Sequence, residues 1–184
     1  MCSSDLKVTG RARFGADFSL PGQLVGKVLR SPHAHAIIKS IDTSKAEALP
    51  GVKAVVTASD FPEQANLTVP AGEMQVNLRD ITRNIMAREK ALYEGHAVAA
   101  VAATSEAVAK QALALIKVDY KVLPHVIDVA DAMKPGAPIL HDGMMTEGAN
   151  PPATRPSNVA KRIEFKKGDA AAGFAQAEIV IELD

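Results

Sequence analysis

A chain of 184 residues can form one large domain, or one domain with an appended segment, and is long enough to bury a core. Its 21 basic and 21 acidic residues cancel, and aromatics make up only 4% with no Trp, which excludes the field and the stacking platforms that nucleic-acid binding needs. With 47% hydrophobic and 23% charged residues, the composition is that of a folded globular chain, not a disordered one.

The N-terminus, Met1-Cys2-Ser3-Ser4-Asp5-Leu6, has no basic segment followed by an apolar run, so it is not read as a secretory signal. Cys2 is the single cysteine, which rules out an internal disulfide and any zinc or iron–sulfur site built from thiolates of this chain alone. A reduced, cytoplasmic setting is expected, with no membrane partner. Gly10 and Gly15 lie near an expected N-terminal strand and read as turn glycines.

After the Pro21-Gly22 turn, Gln23 to Arg30 reads as a strand. Past Ser31-Pro32, the run His33 to Ile41 alternates as a second strand, with His33, His35, Ile37 and Lys39 on one face. Asp42 or Thr43 can cap a short helix through Ala48, stopped by Pro50-Gly51. Val52 to Thr57 reads as a short buried strand. Residues 63–86 show no clear period and read as a long loop with a brief strand at Met74 to Leu78, and such loops are usually functional or packed on a partner.

Lys90 to Tyr93 reads as a short strand, Glu94-Gly95 as a turn, and His96 to Ala103 as a buried strand. The apolar stretch Ala97 to Ala103 is far too short to span a bilayer. Thr104 or Ser105 can cap the next helix, with Glu106 at its positive end and Val108, Ala112, Leu115 and Ile116 on an apolar face. Lys117 to Val122 is a strand ended by Pro124. This strand–helix–strand run suits a right-handed crossover within a mixed sheet, which places the chain in the α+β class.

Val129 to Met133 can form a turn or two of helix. From Gly136 to Asn158, Pro138, Pro151, Pro152 and Pro156, with Gly136, Gly143 and Gly148, describe an extended connector. Arg162 to Lys166 reads as a strand, Asp169 can cap a helix to Gln176, and Glu178 to Glu182 begins another strand. No turn follows it, and a fragment of a longer protein is expected.

Tested for chemistry, the chain offers little. On a strand, the imidazoles of His33 and His35 would point the same way, roughly 7 Å apart, as a metal site could require. They can equally form a polar edge or interface face, and no Cys, Asp or Glu supplies a third ligand at recognisable spacing. Neither a G-x-x-x-x-G-K-[ST] nor a G-x-G-x-x-G phosphate loop occurs, and the Ala103-Thr104-Ser105 turn has no glycine for a pyrophosphate to approach. There is no G-x-S-x-G elbow, and Cys2 has no neighbouring base. His96 could act as a general base but reads more readily as packed or solvated. His125 and His141 flank prolines without an identifiable partner, and Glu94 and Asp119 read as surface charges. No catalytic, cofactor-binding or metal residue is assigned.

Three stretches together carry a resemblance. They are Gly22 through Ala36, with its core Leu29-Arg30-Ser31-Pro32-His33-Ala34-His35-Ala36, followed by Ile41-Asp42 and Pro50-Gly51-Val52; Tyr93-Glu94-Gly95-His96 through Ala103, then Val118-Asp119-Tyr120 and Leu123-Pro124; and Gly168-Asp169 through Ala177-Glu178. The chain resembles the a/b hammerhead domain that opens the large subunit of xanthine dehydrogenase, aldehyde oxidase, carbon monoxide dehydrogenase and 4-hydroxybenzoyl-CoA reductase relatives. The resemblance runs from about Thr9 onward. It implies an unmatched tail at 1–8, a hammerhead domain at 9–134, a Pro/Gly-rich connector at 135–160, and the start of a molybdopterin-binding domain at 161–184. It further implies a parent enzyme that oxidises or hydroxylates a substrate carbon at a molybdenum–molybdopterin centre. Iron–sulfur clusters and FAD then sit on partner domains or subunits, and the base and most pterin-gripping loops lie beyond this chain. The expected role here is scaffolding, with the Ser31-Pro32-His33 corner exposing polar side chains to dock the iron–sulfur component or the pterin domains. The alternative is a free-standing, non-catalytic hammerhead module acting in assembly or binding.

Overall fold

The computed structural model describes residues 4–182. It divides into two compact units, Met1–His125 and Val126–Asp184.

In the first unit, β1 (Val25–Arg30), β7 (Ala97–Ala103) and β3 (Val52–Thr57) form one sheet in the order β1-β7-β3. A second sheet, in the order β6-β2-β8, is built from β2 (Ala36–Asp42), β6 (Lys90–Ala91) and β8 (Lys117–Val122). A hairpin pairs β4 (Thr68–Ala71) with β5 (Met74–Asn77). Helices α1 (Ser4–Val8), α2 (Ser44–Glu47), α3 (Leu78–Ile85) and α4 (Glu106–Leu115) complete the unit.

β7 is central because its sequence has nothing to offer water. Val98, Ala99, Val101 and Ala103 are all buried, and the strand is paired on both edges. Its alanines let α4 approach closely, and Ala109 and Ala112 on the facing side of the helix are likewise fully buried. Leu29, Val52, Val55, Val108 and Ile116 close this core around the small side chains. Withdrawing a valine such as Val101 from water contributes about 1.5–3 kcal/mol.

Ser105 starts α4, with its hydroxyl accepting from the Val108 N–H at 3.3 Å. Replacing Ser105 with Ala is expected to lower stability by about 1 kcal/mol, read as a shifted urea midpoint at unchanged slope. Glu106 lies in the positive first turn and also bonds Lys27 and Lys110, each at 3.0 Å. Those two ammonium groups hold its carboxyl below the ordinary glutamate range.

Several expectations are corrected. The α+β class stands, but every registered strand pair is antiparallel, so the sheets are not mixed. β7 and β8 belong to different sheets, and α4 therefore carries the chain from one sheet to the other instead of crossing over within one. Near the N-terminus the expected strand is replaced by α1 and a single 3-10 turn at Gly15–Asp17. The region 63–86 is not a plain loop: it holds the β4–β5 hairpin and α3, which Asn77 caps by accepting from the Asp80 N–H at 3.2 Å. The second strand begins at Ala36 and not at His33, and the strand expected over Lys90 to Tyr93 pairs only over Lys90–Ala91.

The second unit contains α5 (Val129–Met133) and α6 (Ala170–Gln176), capped by the carboxylates of Asp128 and Asp169 at 2.9 and 3.0 Å. Between them, Asn158 organises the proline-rich stretch. Its side chain accepts from the Leu140 N–H and donates to the carbonyls of Ala132 and Pro138, all within 3.1 Å. Neither Arg162–Lys166 nor Glu178–Glu182 is a strand; one bridge joins Glu147 to Lys161. Alternating residues supply a sheet face, but a strand persists only beside a partner, and no named strand among the described residues lies alongside these two. No helix among the described residues is long and apolar enough to cross a membrane.

Candidate functional site

The chemistry-bearing residues of the first unit gather where the chain leaves β1 and turns into β2. Arg30 ends β1, Pro32 fixes a bend, and β2 starts at Ala36. The turn after β6 packs against this bend. Ser31 N–H donates to the His96 carbonyl and Gly95 N–H donates to the Ser31 carbonyl, both at 2.8 Å. The Arg30 guanidinium donates to the Gly95 carbonyl, also at 2.8 Å. Gly95 has φ +86°, a conformation that glycine adopts without strain, and this lets the turn present its backbone to Ser31. The corner thus joins the two three-stranded sheets.

His33 and His35 do not form the expected pair on a strand, because both lie in the bend before β2. His35 is buried, and its Nδ1 donates to the Pro124 carbonyl at 2.8 Å, leaving Nε2 without a partner among the described residues. His33 stands edge-on to Tyr120, with ring centroids 5.0 Å apart at 78°. Burial raises the Tyr120 hydroxyl above the ordinary tyrosine value, partly offset by the Ser31 hydroxyl. Ser31 is buried too, its hydroxyl donating to the His33 carbonyl and accepting from the His33 N–H. Of the Ser31-Pro32-His33 corner expected to expose polar side chains, Ser31 is turned inward and His33 is half-buried, and Pro32 is exposed together with the neighbouring Arg30.

His96 is fully buried, and its ring stacks on Tyr93 with centroids 4.4 Å apart at 18°. Its Nδ1 accepts from the Leu92 N–H at 3.2 Å, so the packed reading is the one that holds. Desolvation keeps its pKa below the ordinary histidine value, opposed by the nearby carbonyls of Arg83 and Asn84. Of the remaining sequence candidates, His125 is exposed and Asp119 pairs with Lys39 at 3.5 Å. Cys2 lies outside the described residues.

A cleft of about 350 Å³ opens between β2 and β3, lined in part by Lys39, Thr43, Glu47, Thr57, Asp60 and Arg88. Its polar groups are engaged within the fold. Glu47 accepts from the Thr43 hydroxyl at 2.5 Å, and Arg88 donates to the Phe61 carbonyl at 2.7 Å. Asp60 accepts from the Thr57 N–H at 2.6 Å and from its hydroxyl at 3.1 Å, which lowers its pKa. No group of three His, Cys, Asp or Glu able to hold a metal ion is found among the described residues. What the geometry provides is a braced joint between two sheets. Sequence reasoning singled out both halves of that joint, Arg30–His35 and Tyr93–His96, but nothing local in either shows that they interlock.

Residues 9–124 match the family described as "Aldehyde oxidase and xanthine dehydrogenase, a/b hammerhead domain". Over 181 residues the chain is 40% identical to the carbon monoxide dehydrogenase large chain of Afipia carboxidovorans, covering 96% of this chain and 21% of that one. It is 38% identical over 176 residues to a probable xanthine dehydrogenase component of Bacillus subtilis, with the same coverage of 96% and 21%. The solved structure of reconstituted CO dehydrogenase from Oligotropha carboxidovorans superposes with a TM-score of 0.76 at 38% identity, over 96% of this chain and 22% of that chain. The chain thus spans about a fifth of the length of these relatives. A family match over most of the first unit, joined to identity and superposition across nearly the whole sequence, establishes that the chain belongs to the a/b hammerhead family of aldehyde oxidases and xanthine dehydrogenases.

Proposed function

We propose that this chain serves as the scaffolding part of a molybdenum hydroxylase large subunit. The parent enzyme oxidises or hydroxylates a substrate carbon with water-derived oxygen, using a molybdenum–molybdopterin centre. Iron–sulfur clusters and FAD on partner domains or subunits carry the electrons away, in the cytoplasm. The observation that carries this reading is the hammerhead match over residues 9–124, in a chain that aligns over nearly its full length with enzyme subunits about five times longer. In this reading the hammerhead domain runs to about residue 134, a connector follows to about 160, and residues 161–184 enter the molybdopterin-binding domain.

The residues present do not fit the centre itself. The polar lining of the β2–β3 cleft is engaged in internal hydrogen bonds, and the unpartnered buried nitrogens of His35 and His96 sit inside the corner instead of lining that cleft. No step of the reaction is assigned to this chain. Its contribution is to hold two sheets at a fixed angle so that the remaining polypeptide has a rigid surface to build on.

Two measurements test the proposal. The purified 184-residue chain is expected to contain no stoichiometric molybdenum and to oxidise neither carbon monoxide, an aldehyde nor a purine with a dye as acceptor. Turnover by the chain alone, or a tightly held molybdopterin, overturns the scaffold reading. Placing residues 9–124 of this chain in the Afipia carbon monoxide dehydrogenase large chain, in exchange for its corresponding segment, is expected to leave an enzyme that still loads molybdenum. A soluble, folded chimera without molybdenum would count against a shared scaffold role.

A further inference from the structure

We propose that His96 is an acid-sensitive latch that keeps the corner between the two three-stranded sheets closed while its ring is neutral. The geometry sets the protonation state. Nδ1 faces the Leu92 N–H at 3.2 Å and must carry a lone pair, so the single ring proton is on Nε2. Nε2 has no hydrogen-bond partner among the described residues, and no part of the residue is exposed. A second proton can enter only at Nδ1. There it would set two donors against each other and break the bond to Leu92.

The carbonyls of Arg83 and Asn84 favour the charged ring, but the loss of water around it outweighs them. The charged groups on the surrounding elements are Lys27 and Arg30 in β1, Arg79, Asp80 and Arg83 in α3, and Lys90 and Glu94 on the 90–96 segment. Arg83 is held by Glu63 at 2.7 Å and by Glu89 at 3.5 Å. The Asn84 carbonyl, which partly favours the charged ring, already accepts from the Tyr93 hydroxyl at 2.9 Å. His35 differs in the decisive respect. Its Nδ1 is a donor to Pro124, and a proton added at Nε2 leaves that bond in place.

Release at Leu92 reaches the corner directly, because the same turn carries the bonds from Ser31 to His96, from Gly95 to Ser31 and from Arg30 to Gly95, each 2.8 Å long. Burial holds the folded pKa of His96 below the ordinary histidine value of about 6.5. The open chain therefore binds more protons than the closed one as pH falls through that value. The closed corner is fully favoured above it and weakens below it, by at most tenfold per pH unit for one proton.

Amide hydrogen exchange on the 184-residue chain, corrected for the intrinsic pH dependence of exchange, reads this out. Between pH 7.5 and 5.5, protection of the Leu92, Ser31 and Gly95 amides is expected to fall relative to Val101 in β7, by up to about tenfold. In H96N, whose side-chain oxygen can accept from Leu92 without titrating, the fall is expected to vanish. An unchanged fall in H96N, or none in the unmodified chain, overturns the latch. Should H96N not fold, ring titration of the unmodified chain decides. A His96 pKa at or above the ordinary value overturns the proposal, and a lowered one that tracks the loss of Leu92 protection supports it.

Discussion

Replacing Ala112 with Glu is expected to unfold the Met1–His125 unit, or to leave it unstable by on the order of 4 kcal/mol or more. Ala112 is fully buried on α4 within the cluster that contains Ala99, Val101 and Ala103. A glutamate there would place an unpaired carboxylate among methyl groups, in a space shaped for a single Cβ. Protonating it relieves the charge but leaves a side chain too large for the site, so a low pH does not restore the fold. Ala114→Glu, two residues along on the exposed side of the same helix, is expected to change stability by no more than about 0.5 kcal/mol. Urea denaturation followed by circular dichroism separates the two. Equal midpoints would mean that α4 does not pack against β7 as described.

Gly51→Ala is expected to be strongly destabilising within the Met1–His125 unit. Gly51 has φ +94°, outside the range that residues with a Cβ occupy readily. A Cβ built there would lie 2.8 Å from the Thr104 hydroxyl and 3.3 Å from a Val108 methyl. Backbone strain of about 1–2 kcal/mol and crowding of about 1–3 kcal/mol therefore act together. The Gly51 carbonyl also accepts from the Thr104 N–H at 2.9 Å, so the turn cannot swing away without losing a bond to the end of β7. Gly95→Ala is the comparison. Its φ is +86°, but no atom lies within 4 Å of an added Cβ, so the backbone part alone is expected. Thermal midpoints of the two variants give the crowding by difference, and a Gly51 variant no worse than the Gly95 one would refute the close approach.

The parts of the fold that were legible in the sequence are those whose cause is local. The Ala97–Ala103 run, the Ser105 cap and the apolar spacing of Val108, Ala112 and Ile116 each determine their own structure, and β7 and α4 follow. Helix α3 was missed although Leu78, Ile81 and Ile85 have helical spacing. Arg79, Asp80, Thr82, Arg83 and Asn84 dilute that pattern, and part of what holds the helix is the distant pair between Arg83 and Glu63. The alternation of His33 to Ile41 suggested one strand too long, because Pro32 and the packing of His35 beneath Pro124 bend the chain before Ala36. Residues 162–166 and 178–182 show the reverse failure. Their alternation describes a surface that can enter a sheet, but it cannot supply the neighbouring strand. The joint at Ser31 and His96 was legible as two motifs and not as one site, since its bonds link residues more than sixty positions apart.

The order β1-β7-β3 also governs how the chain can be made. The two flanking strands are synthesised first, and the strand that joins them arrives last, at Ala97–Ala103. Until that segment leaves the ribosome, Val25–Arg30 and Val52–Thr57 have no shared neighbour, and both present open backbone edges to other nascent chains. Formation of this sheet is therefore a late and concerted event during translation.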